Sequence, residues 1–276
     1  MRQGPPRPAP LLETLSLEVL DEPTGAIGVL RIDRPDRMNS QTVAMFSEYV
    51  TVARVLRDTS LRALVVTGAG DRAFCAGFDL DEVEVITTMG LLEFLTFQET
   101  AATGMSLLRH LPFPVIAAVR GPATGGGLSL ALAADIRLAS PDAVFSTAFV
   151  RVGLSIGELG TSFHLTRLIG TGLAAEIGYT GRLVRAAEAA AIGLVNRVST
   201  EDVLDDALAT ARQIAGNSPG GVRMSKRSIQ RNQEVGSYTA ALELENRGQA
   251  LLAQTADMAE ALTAFTERRP PRFTGS

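Results

Sequence analysis

An α/β fold with a C-terminal helical region is the architecture that we predict for this chain of 276 residues. Up to about residue 200, short apolar runs alternate with segments whose apolar residues recur at helical spacing. From Glu201 onward the pattern is mostly helical. Hydrophobic residues make up 46% of the chain, which at this length is enough for a sizeable core. The length allows one large domain or one domain with an appendage, and no linker or internal repeat is found.

The chain begins with a predicted hairpin, followed by a helix and a buried strand. The apolar runs Leu15–Leu20 and Ala26–Ile32 flank Pro23-Thr24-Gly25, which predicts a turn between two strands. Gln41–Arg57 carries apolar residues at helical spacing, and Ala63–Thr67 is a short apolar run typical of a buried strand. These segments indicate a β-β-α order.

Further helices and strands continue this order. The next segments alternate in type: a largely helical Glu82–His110, a strand Pro114–Val119, a short helix Leu128–Ala134 and a strand Asp135–Ala139. In the C-terminal part, breaks between helices are expected at Gly216–Gly221 and Gly236-Ser237, because glycine is a poor helix former. We therefore expect β-β-α units up to about residue 200 and helices after it.

Composition and charge exclude several classes of function. The net charge is −4, so no global field favours nucleic acid. Cys75 is the one cysteine, which excludes an intrachain disulfide and a paired-cysteine metal motif. The longest uncharged apolar run, around Leu128–Ala134, is far short of the ~20 residues of a membrane span. Residues 1–12 are expected to be a disordered leader without the apolar core of a signal peptide, and a cytoplasmic location is expected.

Two short motifs indicate a site where the backbone does the chemistry. In Phe74–Asp79 (FCAGFD), small residues follow an apolar strand, and Gly77 is able to turn the N–H of Phe78 into a cleft. In Gly125–Gly127, three glycines precede an apolar run, so a helix is expected to begin there with unpaired N–H groups and a partial positive charge. Two N–H groups aimed at one point stabilise an oxyanion, by roughly 3–4 kcal/mol per donor in acyl chemistry.

Several blocks of sequence, in one order, resemble the crotonase superfamily, also called the enoyl-CoA hydratase/isomerase family. The blocks cover most of the chain: RPDRMN, LVVTGAGDRAFCAGFDL, FPVIAAVRGPATGGGLSLALAADIRLAS, RLIGTGLAAEIGYTGRLVRAAEAAAIGLVNRV and the tail PPRF. The resemblance implies a crotonase-type spiral of β-β-α units, with an acyl-CoA-binding core over residues 13–200. It further implies a helical trimerisation region over residues 201–276 and a homotrimer or dimer of trimers.

The resemblance also implies a set of site residues. In the family, the oxyanion donors are the N–H after the Ala-Gly pair and the middle N–H of the glycine run, which correspond here to Phe78 and Gly126. The positions that cradle the CoA moiety correspond to Arg37, Met38, Ala76 and Asp79. The implied ligand is an acyl-CoA thioester bound as substrate, and no metal or redox cofactor is implied.

The sequence departs from the family pattern at both residues that hydrate a double bond. Hydratases of the family use two glutamates, and the corresponding positions here hold Ser129 and Phe149. Phenylalanine does not titrate, and a serine moves a proton only with an adjacent base. Because no carboxylate is left there to activate water, ordinary syn-hydration is not expected.

One carboxylate, Glu158, remains in the same neighbourhood. Its loop, Val152–Thr161, resembles the corresponding loop of dienoyl-CoA isomerases and some enoyl-CoA isomerases after a gap of one residue, and an acid there moves a proton along the acyl chain. Apolar neighbours would raise the pKa of Glu158 and suit it to acid/base exchange. Alternatively, Glu158 caps or precedes a helix that begins at Thr161-Ser162, where an acid suits the helix dipole. The sequence leaves both interpretations open.

Other candidate residues have plainer interpretations. No histidine is close in sequence to Cys75, so a structural thiol is favoured over a nucleophile. His110 and His164 are expected to be ordinary buried or surface histidines. Leu91–Met105 falls at the variable helix of the family and is expected to line an acyl pocket. A basic cluster is expected to be a solvated helix face, with a contact to a CoA phosphate as the alternative: Arg223, Lys226, Arg227 and Arg231.

Several functions remain in competition. An isomerase that uses Glu158 is preferred over a hydratase in the broad family sense and over a binding protein that keeps the acyl-CoA pocket without the chemistry. Gly68–Ala73 matches the dinucleotide pattern G-x-G-x-x-A, but a Rossmann unit needs a helix at once and an acidic residue about 20 residues on. No G-x-S-x-G surrounds Ser129, which disfavours a serine hydrolase.

Overall fold

Two sheets form the centre of the structure, a computed structural model that describes residues 12–276. Their strands are β1 (Leu15–Leu20), β2 (Ile27–Ile32), β3 (Ala63–Gly68), β4 (Val115–Val119), β5 (Pro122–Thr124), β6 (Ile136–Ala139), β7 (Val144–Ser146), β8 (Val184–Arg185) and β9 (Arg197–Val198). The larger sheet has the order β1-β2-β3-β4-β6-β9, and the smaller sheet has the order β5-β7-β8. Every neighbouring pair of the larger sheet is parallel except β1 and β2, which form the predicted hairpin.

Helices follow the strands and then fill the C-terminal part. They are α1 (Val43–Arg57), α2 (Val83–Thr88), α3 (Leu91–Arg109), α4 (Gly126–Ala133), α5 (Thr161–Thr180), α6 (Ala186–Ala191), α7 (Val203–Ala215), α8 (Pro219–Asn232), α9 (Tyr238–Leu252) and α10 (Ala256–Glu267). The predicted α/β order is confirmed, with strands and helices mixed up to residue 198 and helices alone from α7 onward.

A different layer covers each face of the larger sheet. On one face, α7 packs against the strands through a cluster of nearly inaccessible residues: Ile27, Ala63, Val65, Ile116, Ala118, Leu138, Val203, Ala207 and Ala211. On the other face lies the main core, which includes the large buried side chains of Tyr49, Phe74 and Phe145. Strands covered on both faces are apolar at successive positions, which explains the short continuous apolar runs in the sequence.

The smaller sheet leads the chain into α4. Strand β5 pairs in parallel with β7, and Cys75 forms an isolated parallel bridge with Ala123 of β5. The N–H of Gly125 donates to the carbonyl oxygen of Ser146 in β7 at 2.9 Å. The start of α4 is therefore held between this sheet and the loop that contains Cys75.

The long helix predicted over Glu82–His110 is two helices. Met89 has extended backbone (φ −62°, ψ 137°) and ends α2, and Gly90, also extended, is the N-cap residue of α3. Farther along, α4 begins at Gly126, two residues before the predicted start at Leu128.

The break predicted at Gly216–Gly221 is shorter than expected. Ser218 caps α8 by accepting a hydrogen bond from the N–H of Gly221 at 3.4 Å, and Pro219 occupies the first turn. These two start signals outweigh the low helix propensity of the glycines that follow. The break predicted at Gly236-Ser237 is confirmed, since Ser237 is the N-cap residue of α9.

The expectation of a solvated basic face is wrong for Lys226. Its side chain is 5% exposed and pairs with Asp135 at 2.7 Å, and its ammonium donates to the carbonyl oxygen of Phe113 at 2.9 Å. Burial lowers the pKa of Lys226, and Asp135 opposes this shift. Helix α8 turns this residue toward the core, while its other cations stay exposed: Arg223, Arg227 and Arg231.

The predicted leader, residues 1–12, lies outside the described residues except for Leu12, which packs against the main core. None of the helices over residues 12–276 has the length and apolarity that crossing a bilayer requires.

The buried pair of Lys226 and Asp135 gives a test of the fold. We expect Lys226→Met to lower the free energy of unfolding by about 3 kcal/mol, because it leaves a largely buried carboxylate without its counter-charge. The matched control is Arg227→Met, one residue along the same helix and exposed, which should stay within about 0.5 kcal/mol of the wild type. Urea unfolding at one protein concentration measures both, and equal stabilities for the two variants would contradict this account of α8.

Candidate active site

The N–H of Phe78 is presented by a loop that is held on both sides. Gly77 has φ +100°, a conformation that favours glycine. The N–H of Gln41 donates to the carbonyl oxygen of Gly77 at 2.7 Å, and the N–H of Asp79 donates to the carbonyl oxygen of Gln41 at 2.8 Å. The N–H of Phe78, between these bonds, donates to no acceptor in residues 12–276. It is therefore available to a ligand.

The second candidate donor, Gly126, is the first residue of α4. The first N–H groups of a helix have no acceptor within the helix and lie at the positive end of its dipole. Every residue of α4 is buried, so this partial charge acts in surroundings with little water, where electrostatic interactions are stronger.

The two donor segments lie directly against each other. The N–H of Thr124 donates to the carbonyl oxygen of Cys75 at 3.0 Å, beside the bridge from Cys75 to Ala123. A Cβ on Gly127 would lie 2.3 Å from the same carbonyl oxygen. This contact brings the loop of Phe78 to the beginning of α4, so the fold gathers both sequence-predicted donor segments at one place.

The positions that the resemblance assigns to the two family glutamates hold buried side chains. Ser129 is completely buried, and its Oγ lies 2.6 Å from Oγ1 of Thr161 at the start of α5. The ring of Phe149 covers Gly125, with ring carbons 3.7 and 3.9 Å from the Cβ position of that glycine. Neither side chain brings a titratable group to the N-terminus of α4.

Glu158 lies on the loop before α5, close to the second donor. Its carbonyl oxygen accepts a hydrogen bond from the N–H of Thr161 at 2.8 Å, and the next residue, Leu159, has a left-handed backbone with φ +48°. The Cδ1 atom of Leu159 lies 3.7 Å from the Cβ position of Gly126. The loop therefore brings the half-buried Glu158 to the end of α4 that carries the donor.

Burial raises the pKa of Glu158, and a hydrogen bond from Gln98 of α3 acts against this rise. The N-cap residue of α5 is Gly160, and no side chain caps this helix. The side chain of Glu158 therefore does not cap α5, although Glu158 does precede this helix as the alternative interpretation expects. Within the described residues Glu158 forms no ion pair, and a carboxyl in this condition is suited to proton exchange.

The segment predicted to cradle CoA is bound to the loop before the first donor. The N–H of Ala76 donates to the carbonyl oxygen of Met38 at 3.0 Å, and Met38 has a left-handed backbone with φ +52°. The buried Asn39 donates from Nδ2 to the carbonyl oxygen of Ala73 at 2.7 Å. These contacts put Met38 and Ala76 side by side along the edge of the candidate site.

Asp79 and Arg37, also predicted to contact CoA, already have partners within the protein. The carboxylate of Asp79 accepts hydrogen bonds from Arg34 at 2.7 Å and from the Ser40 hydroxyl at 3.1 Å. Burial works to raise the pKa of Asp79, but these bonds outweigh it and the pKa is lowered. Arg37 is about half exposed and pairs with Asp79 at 3.5 Å and with Asp81. An anion at this edge would therefore meet Arg37 rather than Asp79.

Helix α3, predicted to line the acyl pocket, packs aromatic rings against the first donor residue. The ring of Phe97 meets Phe78 edge-on with centroids 6.2 Å apart and meets Phe46 at 5.6 Å. Apolar side chains near the start of this helix stay exposed: Leu91, Leu92 and Leu95. The helix thus presents an apolar surface beside Phe78.

The cysteine and the histidines are not poised for catalysis. Burial raises the pKa of Cys75 to about 12, so it is a thiol at neutral pH. Burial and nearby arginines lower the pKa of His164 to about 3, and this residue lines a cavity of about 730 Å³ near the far end of α4 from Gly126. His110 lies at the end of α3, with Nδ1 2.7 Å from the carbonyl oxygen of Ser106. Over residues 12–276, no group of three or more His, Cys, Asp or Glu side chains is placed to hold a metal ion.

Two glutamines at the site, Gln98 and Gln41, are absent from the residues predicted from the sequence. Gln98 of α3 acts to lower the pKa of Glu158 from its place nearby, and Gln41 is buried against Gly126. Gln98 follows Phe97 and precedes the buried Ala101 on the apolar face of its helix, and a polar residue on that face is the signal that could have found it.

Comparisons with known proteins show to which family the chain is similar. The family model described as Enoyl-CoA hydratase/isomerase matches residues 22–276. A Mycobacterium tuberculosis protein named "Probable enoyl-CoA hydratase EchA12" is 42% identical over 95% of this chain and 94% of its own. The "Short-chain-enoyl-CoA hydratase" of Clostridium acetobutylicum is 35% identical over 91% of this chain and 95% of its own. A crystal structure of enoyl-CoA hydratase from Bacillus anthracis matches with a TM-score of 0.89 and 32% identity, over 96% of this chain and 100% of that one.

The family model covers most of the chain, and the structural match extends over nearly all of it. With the strand order and the glycine-lined donor segments also in place, this chain belongs to the enoyl-CoA hydratase/isomerase family.

Proposed function

We propose that this enzyme binds an acyl-CoA thioester and shifts the double bond of an enoyl-CoA, with Glu158 as the proton shuttle. The N–H groups of Phe78 and Gly126 serve as the oxyanion donors. One observation carries the proposal: Glu158 is a half-buried carboxyl with a raised pKa, on the loop that packs against the second donor. The two positions where the family places hydratase glutamates hold Ser129 and Phe149 instead.

The proposed reaction takes up no water. The carboxylate of Glu158 removes a proton from the α-carbon of a 3-enoyl thioester, and the electron pair left behind delocalises onto the thioester oxygen to form a dienolate. The N–H groups of Phe78 and Gly126 stabilise that oxygen. Glu158, now a carboxylic acid, returns the proton to the γ-carbon, which gives the 2-enoyl thioester and restores the carboxylate. Atoms and charge balance with one group that acts first as base and then as acid.

The surroundings of Glu158 support this assignment. A base of raised pKa holds the abstracted proton more firmly than an ordinary carboxylate does, which lowers the free energy of the dienolate intermediate relative to the substrate. The apolar surface of α3 beside Phe78 suits an acyl chain, and the half-exposed guanidinium of Arg37 suits an anionic group of CoA.

Hydration is the competing function, because the similar proteins are named hydratases. Mass spectrometry of 2- and 3-enoyl-CoAs incubated in deuterated water separates the two. Deuterium incorporation with a shifted double bond and no added water is the expected result. A product heavier by one water would overturn the isomerase proposal, and tight CoA-ester binding with no exchange would indicate a binding protein.

Replacement of the proposed shuttle gives the sharpest mutational test. We expect Glu158→Gln to slow isomerisation and α-proton exchange by roughly 10²–10⁴-fold, because the amide cannot accept the proton. The affinity for a saturated acyl-CoA should change little, since the substitution keeps the shape of the side chain. Glu99→Gln, an exposed carboxylate on α3, is the matched control and should match the wild type. Unimpaired exchange in Glu158→Gln would rule out this role.

The direction of the Glu158 pKa shift predicts the acid limb of the rate profile. Glu158 must be ionised to take the α-proton, so the rate of the wild-type enzyme should fall as pH drops through the pKa of this group. Because burial raises that pKa, the midpoint should lie above the ordinary value of 4.5. The rate of deuterium exchange measured against pH tests this, and a midpoint at or below 4.5 would contradict it.

We further propose a homotrimer or a dimer of trimers held together by the C-terminal helices. Large apolar side chains on these helices are exposed in the single chain: Ile229, Tyr238, Leu242, Leu244, Leu251, Met258, Leu262 and Phe265. Exposed apolar surface of this extent is typical of interfaces. Light scattering should give three or six times the chain mass of 29.2 kDa, and a monomer at micromolar concentration would contradict the assembly.

A further inference from the structure

The buried side-chain amide of Gln41 lacks hydrogen-bond partners among the residues that the structure describes. It is 0% exposed, and neither its Oε1 nor its Nε2 has a partner among residues 12–276. Burial raises the pKa of the neighbouring Tyr49, and the nearby Gln41 amide acts against this rise. The Tyr49 hydroxyl does not satisfy the amide, because it donates to the sulfur of Met45 at 3.3 Å. An unpaired buried amide destabilises a fold relative to an apolar side chain of the same size, so its presence calls for a reason.

The main chain of Gln41 fixes the direction of the first donor. Its N–H bonds to the carbonyl oxygen of Gly77, and its carbonyl oxygen accepts from the N–H of Asp79, at 2.7 and 2.8 Å. These two bonds form a parallel bridge between Gln41 and Phe78. In such a bridge the middle residue directs its own N–H away from the partner. Gln41 therefore holds the N–H of Phe78 pointing away from itself and out of the pairing.

The side chain of the same residue supports the second donor. A Cβ on Gly126 would lie 2.1 Å from Oε1 of Gln41 and 3.2 Å from its Cδ. The amide thus occupies the space beside Gly126 where another residue would carry its side chain. The next nearest of these contacting atoms is Cδ1 of Leu159 at 3.7 Å.

We propose that Gln41 is a positioning residue that sets the separation of the two oxyanion donors, its main chain acting on Phe78 and the bulk of its side chain on Gly126. The inference rests on the proposed function, because it assumes that these two N–H groups bind the thioester oxygen. Such donors stabilise an oxyanion only when they are held within about 2.7–3.1 Å of it. Because Gln41 contacts both segments, it holds the loop and the helix at one separation.

Four variants test the role of the Gln41 side chain, and the first two separate its bulk from its polarity. Gln41→Ala empties the space beside Gly126, and Gln41→Met keeps the volume without the amide. Gly126→Ala places a methyl group where Oε1 now lies, and the double variant Gln41→Ala/Gly126→Ala lets that methyl group fill the emptied space. Each variant is measured for thermal stability, for kcat and KM of α-proton exchange in deuterated water, and for the infrared carbonyl stretch of bound [1-¹³C]butanoyl-CoA and [1-¹³C]octanoyl-CoA.

The wild type should lower the carbonyl stretch of the bound thioester, because both donors polarise it. Gln41→Ala should lose at least half of that shift and about tenfold or more in kcat, with KM nearly unchanged. Gln41→Met should keep most of the carbonyl shift and a kcat within about threefold of the wild type. It should melt at the same temperature or a few degrees higher, since it removes an unpaired amide. Gly126→Ala should have a lower kcat than the wild type. The double variant should have a kcat about tenfold higher than Gly126→Ala, because its methyl group fills the space that the Gln41 side chain leaves empty.

The outcomes that overturn the inference differ from those that overturn the function. If Gln41→Ala melts at a lower temperature but keeps the wild-type carbonyl shift and kcat, Gln41 is structural only. If Gln41→Met loses as much as Gln41→Ala, side-chain volume does not position the donor. If the wild type binds both thioesters without any carbonyl shift, the oxyanion site itself is misassigned and the proposed function falls.

Discussion

The close crossing of two backbone segments is the constraint on which the rest of this structure depends. Residues 72–78 pass so near to β5 and the start of α4 that a Cβ on Gly121 would lie 2.4 Å from the carbonyl oxygen of Arg72. A Cβ on Gly127 would lie 2.3 Å from that of Cys75. Glycine alone allows such contact. The crossing brings a loop N–H that has no acceptor among residues 12–276 to the positive end of a buried helix, and the proposed oxyanion site depends on this pairing.

The proposed proton shuttle depends on two elements that are distant in sequence. Glu158 belongs to the loop before α5, its raised pKa comes from burial, and Gln98 of α3 opposes that rise. Because α3 also presents the apolar surface beside Phe78, a change in the packing of this helix alters both the acyl pocket and the pKa of the carboxyl. Residues 129 and 149 are not carboxylates, so the proposal assigns the proton transfer at this end of α4 to Glu158.

Local patterns predicted most elements, and their failures have identifiable causes. The break expected over Gly216–Gly221 ends earlier, because the Ser218 cap and Pro219 start α8 despite the low helix propensity of the glycines. Lys226 carries a charge, which predicts exposure, but it is buried because Asp135 and the carbonyl oxygen of Phe113 compensate that charge. Partners of this kind lie far along the chain, so a local pattern does not reveal them.

The sequence by itself determined the α/β class, the N-terminal hairpin, the strands β3 and β4 and the two glycine motifs, since each of these is written in neighbouring residues. The assignment of residues 129 and 149 to the hydratase glutamates comes instead from the resemblance to the family. Only the tertiary structure decided that Gly160, rather than Glu158, is the N-cap residue of α5, that Gln98 reaches Glu158, and that Gln41 contacts both donor segments. These facts depend on how distant elements pack. Burial and hydrogen bonding in a folded site are set by that packing rather than by the residues beside each group in the chain.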